Sequence, residues 1–225
     1  MARSKRRAET GIDEEATTFR LERPDEAWVF TRFAAGAVGT LYVTYGIRGV
    51  RSIDFERTPA MTGEHERKRA PAWLSEPLGA YLRGEKVDLS RIPLDLGGTA
   101  FQRRVWEALQ RIPWGRVASY AHVASEVGSP RGMRAVGMAN ARNPVPLLVP
   151  CHRVIESSGG LGGYSGGLDK KIALLALEGV TVEKGHVLPG QLDLFTEPLS
   201  ARPKRAPKAP KRAGRDPRQE PLPSA

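Results

Sequence analysis

The chain has 225 residues, 40% of them hydrophobic and 27% charged, with a formal charge of +10. That length suits one large domain or two small ones, and the balance suits a soluble globular protein. A single cysteine excludes an internal disulfide and a four-thiolate zinc site, and it favours a reducing, intracellular setting. No run of about 18 apolar residues occurs, so no membrane-spanning helix is expected. The basic start, MARSKRRAETG, is not followed by an apolar core, so no secretory signal is expected either.

Residues 1–24 are polar and read as a flexible N-terminus. AWVFTRFA, GTLYVTYG and VRSIDFER then read as three strands, rich in Val, Tyr, Phe and Ile and punctuated by Gly36, Gly39, Gly46 and Gly49. Their short connections predict an antiparallel meander. Residues 72–83 read as a helix blemished by Pro77, and VDLSRIPLDL as an extended stretch leading to Gly97 and Gly98. A domain boundary is expected there, dividing 25–97 from 98–188.

The second half is helical. Thr99 with Gln102 forms a capping-box pattern, and Phe101, Val105, Trp106, Leu109 and Ile112 follow at helical spacing. Ser119 is placed to cap a second helix that runs to Val127 and stops at Gly128. Ser129 and Pro130 predict the start of a third helix, reaching about Ala141. The short link between these two resembles a helix-turn-helix. VPLLVP reads as extended, and GLDKKIALLALEG as a last helix closed by Gly179.

Charge is unevenly spread. Between Gly97 and Ile155 lie eight arginines, no lysine and two acids, Glu107 and Glu126. Arginine's planar fork suits phosphate and base contacts. The third helix carries small residues at Gly132, Ala135, Gly137, Ala139 and Ala141, which allow close approach to DNA or equally to another helix. Residues 201–225 hold eight Lys or Arg against Asp216 and Glu220, with six prolines. With the residues before them, from 189, they read as a disordered basic tail, either drawn to polyanions or merely solubilising.

The one thiol, Cys151, stands between Pro150 and His152. A thiol with a pKa near 8.5 needs a base or positive potential to become a nucleophile. His152 and Arg153 are adjacent, but neighbouring side chains of a strand point to opposite faces. Cooperation between Cys151 and His152 therefore requires a bend, which Pro150 favours, or a bridging water. A carboxylate is needed to orient the imidazole. Glu156 and Glu178 are the candidates: Glu178 closes an apolar helix and so is the one for burial, while Glu156 precedes SSGG and reads as solvated.

NPVPLLVPCHRVI followed by GYSGGLDKKIALLALEG closely resembles the active-site region of O6-alkylguanine-DNA alkyltransferases. FQRRVWEALQRIPWGRVASYAHVA and RAVGMANARNPVP fit the same family in the same order. The resemblance covers about 99–180. It implies an α/β N-terminal domain, ribonuclease-H-like, and a mainly α C-terminal winged helix-turn-helix domain. It also implies irreversible, single-turnover transfer of an alkyl group from O6-alkylguanine in duplex DNA to Cys151, after the base flips out, with O4-alkylthymine as a secondary candidate substrate.

Carried over residue by residue, Cys151 falls on the alkyl acceptor, His152 on the water-linked base, Glu178 on the carboxylate that orients it, and Tyr120 on the proton donor to the base. Arg134 falls on the arginine that fills the space of the extruded base, and Asn143 on the hinge asparagine. Ser119 and Ala135 fall on the DNA-binding surface, and Val154, Tyr164, Ser165 and Gly166 on the base pocket. Asn140, near the pocket edge in register, is a candidate for altering tolerance of bulky alkyl groups. The resemblance implies no cofactor, a monomer, and cytoplasmic residence, nucleoid-associated in a bacterium. With one cysteine, no structural zinc and no phosphotriester repair are expected. Two rival readings remain: a non-catalytic sensor of alkylated DNA, and a cysteine hydrolase using Cys151, His152 and Glu178.

Overall fold

The computed structural model describes residues 28–188, so the expectations for the N-terminus and for the basic tail lie outside the described residues. Alternating residues make the first element group. β1 (Val29–Ala34), β2 (Thr40–Gly46) and β3 (Gly49–Asp54) form an antiparallel meander in the order β1-β2-β3. Val29 pairs with Tyr45 and Ala34 with Thr40, and a register shift between Thr44 and Tyr45 marks a bulge against β3. Leu41, Val43 and Tyr45 turn one face of β2 into the core.

α1 (Ala72–Leu82) packs Leu74, Leu78 and Tyr81 inward. Pro77 sits inside this helix and costs it about 3 kcal/mol or more. Burial of the three large side chains, at about 1.5–3 kcal/mol each, outweighs that loss. Two stretches expected to be extended are not. In VDLSRIPLDL, Leu89–Arg91 form a 3-10 turn because the Asp88 carboxylate captures the Ser90 N–H at 3.0 Å. Only Leu94 keeps a bridge, to Val50.

α2 (Ala100–Gln110) carries the expected capping box: Gln102 N–H donates to the Thr99 hydroxyl at 3.2 Å, and Thr99 N–H to the Gln102 side chain at 2.8 Å. Then come β4 (Ala118–Ser119), α3 (Tyr120–Glu126) and α4 (Met133–Ala141). The Ser119 hydroxyl caps α3 by accepting from His122 N–H at 3.0 Å. α4 begins at Met133, later than the proline signal suggests. Gly128, at φ +73°, redirects the chain, and Gly132 N–H closes a turn onto Ser129 O at 2.7 Å. Pro130 therefore lies in the connection. Trp106 Nε1 donates to Ala139 O at 2.9 Å and fixes α2 against α4.

The second stretch, VPLLVP, is a compact buried turn. Pro144, Pro146 and Pro150 lack the N–H groups that a ladder needs. Val149 N–H instead bonds Val145 O at 3.0 Å, with Leu147 at φ +74°. β5 (Val154–Ile155) pairs in parallel with β4, Ala118 against Val154 and Ser119 against Ile155. α5 (Leu168–Leu177) ends at Gly179, φ +79°, and β6 (Val182–Glu183) with β7 (His186–Val187) make a small hairpin. One apolar core runs from Leu41 through Tyr81 and Leu109 to Leu174. Ile53 N–H donates to Pro144 O at 2.8 Å, so the meander touches the turn that leads to the cysteine.

Candidate active site

The bend that cooperation between Cys151 and His152 requires is present. Pro150, at φ −77° and ψ 66°, centres an inverse γ-turn closed by Cys151 N–H to Val149 O at 2.7 Å. Cys151–Arg153 then form a single 3-10 turn rather than a strand. Asn143 supports it from the end of α4. Its amide donates to Val149 O at 2.7 Å and accepts from Val145 N–H at 3.0 Å, standing in for a missing strand partner.

His152 and Glu178 are both sealed from solvent, at 0% and 3% exposure. Nε2 of His152 lies 2.9 Å from Glu178 Oε1. A carboxylate only accepts, so Nε2 carries the proton and the lone pair of the neutral ring sits on Nδ1. Nδ1 has no hydrogen-bond partner among the described residues. Arg153 clamps Glu178 with Nε to Oε2 and Nη2 to Oε1, both 2.8 Å, and holds Ile112 O with Nη1 at 2.6 Å. Tyr81 donates to Glu178 Oε1 at 2.6 Å. Burial works to raise the Glu178 carboxyl, but His152 and Arg153 overcome it and hold the group well below the usual carboxylate range. Burial lowers His152, against the pull of Glu178. Glu156, the other candidate carboxylate, is exposed.

Cys151 is 2% exposed, and burial raises its thiol above the ordinary value. Asn143, Lys171 and Tyr164 act in the opposite direction. Sequence reasoning passed over Lys171, which is 0% exposed and donates through Nζ to Val154 O at 2.6 Å and to Leu161 O. Burial lowers its pKa to about 8. The signal was available: Lys171, Leu174, Leu175 and Glu178 share the i, i+3, i+4, i+7 face of α5, an apolar face on which a lysine is out of place. Tyr81 was also passed over, and no local pattern announces it, because its partner is 97 residues away.

The remaining candidates divide into a group around Tyr120 and Tyr164 and an outer face on α4. The β4–β5 pairing sets Tyr120 beside the segment after Cys151. Burial raises the Tyr120 phenol, so it stays a proton donor. A Cβ at Gly162 would lie 3.2 Å from the Tyr120 ring. Tyr164 couples electrostatically to Cys151 and meets Phe55 edge-on at 6.1 Å. Gly166 packs so tightly on Phe55 that a Cβ would come within 2.5 Å of it. Val154 is buried and Ser165 exposed. Asn140 is buried and donates to Cys151 O at 3.4 Å. Arg134 and Ala135 lie on the exposed side of α4, with Met133 and Met138. Ser119 is buried, its hydroxyl engaged at the α3 cap. No group of three or more His, Cys, Asp or Glu able to hold a metal occurs among the described residues.

Residues 100–180 match the family model described as 6-O-methylguanine DNA methyltransferase, DNA binding domain. The methylated-DNA–protein-cysteine methyltransferase of Mycolicibacterium paratuberculosis is 52% identical over 132 residues, covering 59% of this chain and 79% of that one. The constitutive enzyme of that name from Bacillus subtilis is 43% identical over 133 residues, again 59% and 79%. Among solved structures, Mycobacterium tuberculosis OGT in complex with DNA superposes with a TM-score of 0.59 at 38% identity, covering 66% of this chain and 91% of that one. The mixed α/β fold, the match across 100–180 and the 52% identity to a relative matched over 79% of its length lead to one conclusion: the chain belongs to the methylated-DNA–protein-cysteine methyltransferase family.

Proposed function

We propose that this protein repairs DNA directly, moving an alkyl group from O6 of alkylated guanine, and also from O4 of alkylated thymine, to Sγ of its own Cys151. The observation that supports the reading is the buried His152–Glu178 pair directly after Cys151 in the chain, with Nε2 2.9 Å from the carboxylate and the Nδ1 lone pair left to take a proton. The thiol is held protonated by burial, so a base is needed for attack. His152 takes that proton through a water. The sulfur forms a bond to the alkyl carbon, and the carbon–oxygen bond breaks with its electron pair moving into the purine. Tyr120 donates a proton to guanine N3 as charge builds there, and the proton lost by Cys151 balances the one the base gains.

The target carbon is hidden in a stacked duplex, so the base leaves the stack at a cost of a few kcal/mol. Arg134, exposed on α4, fills the space it vacates, and the small side chain of Ala135 lets the helix approach closely. Asn143 links α4 to the turn before Cys151. Val154, Tyr164, Ser165 and Gly166 line the base pocket. We read Ser119 as serving DNA binding through α3, which it caps. The domains divide at 97/98, a ribonuclease-H-like unit preceding a winged helix-turn-helix built on α3 and α4. The protein works as a cytoplasmic monomer without a cofactor.

A thioether has no carbonyl for water to attack, so each molecule acts once. The test is methyl loss from an O6-methylguanine duplex with excess protein and with excess DNA. The wild type is expected to remove at most about one methyl group per chain, and Cys151→Ala to remove none while still binding. Continuous turnover would establish a hydrolase, and full activity in Cys151→Ala a sensor; either overturns the proposal.

A further inference from the structure

We propose that Tyr81, carried by α1 of the N-terminal half, is a positioning residue that keeps His152 neutral by sharing Glu178 with it. The proposal rests on the alkyl-transfer reading above and adds a source of control from outside the span of the family model, which begins at residue 100. The Tyr81 hydroxyl donates to Glu178 Oε1 at 2.6 Å, the same oxygen that meets His152 Nε2 at 2.9 Å. At 3.4 Å from Nε2, the phenol oxygen lies nearer to the carboxylate than to the ring. Its one proton is therefore committed to Glu178. Trp114 meets the Tyr81 ring edge-on, with centroids 5.1 Å apart and planes at 80°, so the hydroxyl is held in place from both halves of the chain.

A carboxylate whose sole partner is an imidazole draws that ring toward imidazolium, the form that cannot accept the thiol proton. Every additional donor weakens the draw. Arg153 supplies two from the active-site turn, and Tyr81 supplies a neutral one from α1. The other groups facing His152 act on the same balance. Lys171 on α5 and Arg153 oppose a positive ring, and Glu178 favours it. Cys151 would favour it once ionised, and Tyr164 in turn couples to Cys151. The Tyr81 phenol is itself held protonated by burial and by Glu178, so it remains a donor at any working pH.

Tyr81→Phe keeps the ring and its contact with Trp114 and removes only the donor. The single-turnover rate of methyl transfer from an O6-methylguanine duplex, followed across pH, is expected to keep its alkaline plateau within a few-fold. Its acid limb should move up by about one pH unit, the size of a lost hydrogen bond to a charged group. Site-specific 3-fluorotyrosine at position 81, a stronger donor of nearly the same shape, should move the limb down. The NMR titration of His152 in DNA-free protein should follow both shifts. A uniform fall in rate with the limb unmoved, or a His152 titration indifferent to both changes, overturns the proposal. Should Tyr81→Phe fail to fold, the fluorinated protein decides alone. Wild-type protein that takes up no methyl group defeats the alkyl-transfer reading, while the His152 titration still judges the role of Tyr81.

Discussion

Single residues carry the site through hydrogen bonds that the sequence announces unevenly. Cys151, His152 and Glu178 were legible because a lone thiol, an adjacent imidazole and a carboxylate closing an apolar helix are unusual choices. Lys171 was legible only as a cation on the apolar face of α5; what it binds was not, because its two acceptors are backbone carbonyls that no pattern encodes. Asn143 lies between these cases: its place before Pro144 reads as a turn, yet its amide satisfies two buried backbone groups. Asn143→Ala strands both, at about 1–3 kcal/mol each. A loss of about 2–6 kcal/mol in urea denaturation is expected, together with slower alkyl transfer, because the turn that presents Cys151 loses its brace.

Elements were read best where side chains near in sequence decide them. The Thr99 box and the Ser119 cap act within three residues, so α2 and α3 begin where expected. VPLLVP was misread because its apolar content suggests a strand while its prolines remove the donors a strand needs, and a side chain outside the run supplies the substitute. The late start of α4 has the same kind of cause, a turn at Ser129–Gly132 that uses the donors Pro130 would have left free. Two substitutions separate support from contact on this helix pair. Ser119→Ala removes a cap and is expected to cost about 1 kcal/mol of stability, leaving the salt dependence of DNA affinity unchanged. Arg134→Ala, at an exposed site, is expected to leave stability alone and to lower the slope of log affinity against log salt by about one.

At the largest scale, the two halves of the described residues meet around the turn that holds Cys151. Ile53 reaches Pro144, Phe55 backs Gly166 and Tyr164, and Tyr81 reaches Glu178. These pairings are far apart in sequence, so nothing in either half foretells them. They also bury titratable groups whose protonation ties stability to pH. His152 and Glu178 are both depressed in the fold, from ordinary values of 6.5 and 4.5. As pH falls, the unfolded chain takes up these protons first, so their share of stability is complete above about 6.5 and drains below it. The melting temperature is expected to start falling near pH 6.5, and in His152→Gln only in the carboxylate range. The measurement that bears most directly on the central claim is the mass of the Cys151 peptide after incubation with excess O6-methylguanine duplex. Every active chain is expected to carry one methyl group on Cys151, matched by one guanine restored. Restored guanine beside an unmodified Cys151 would contradict the claim.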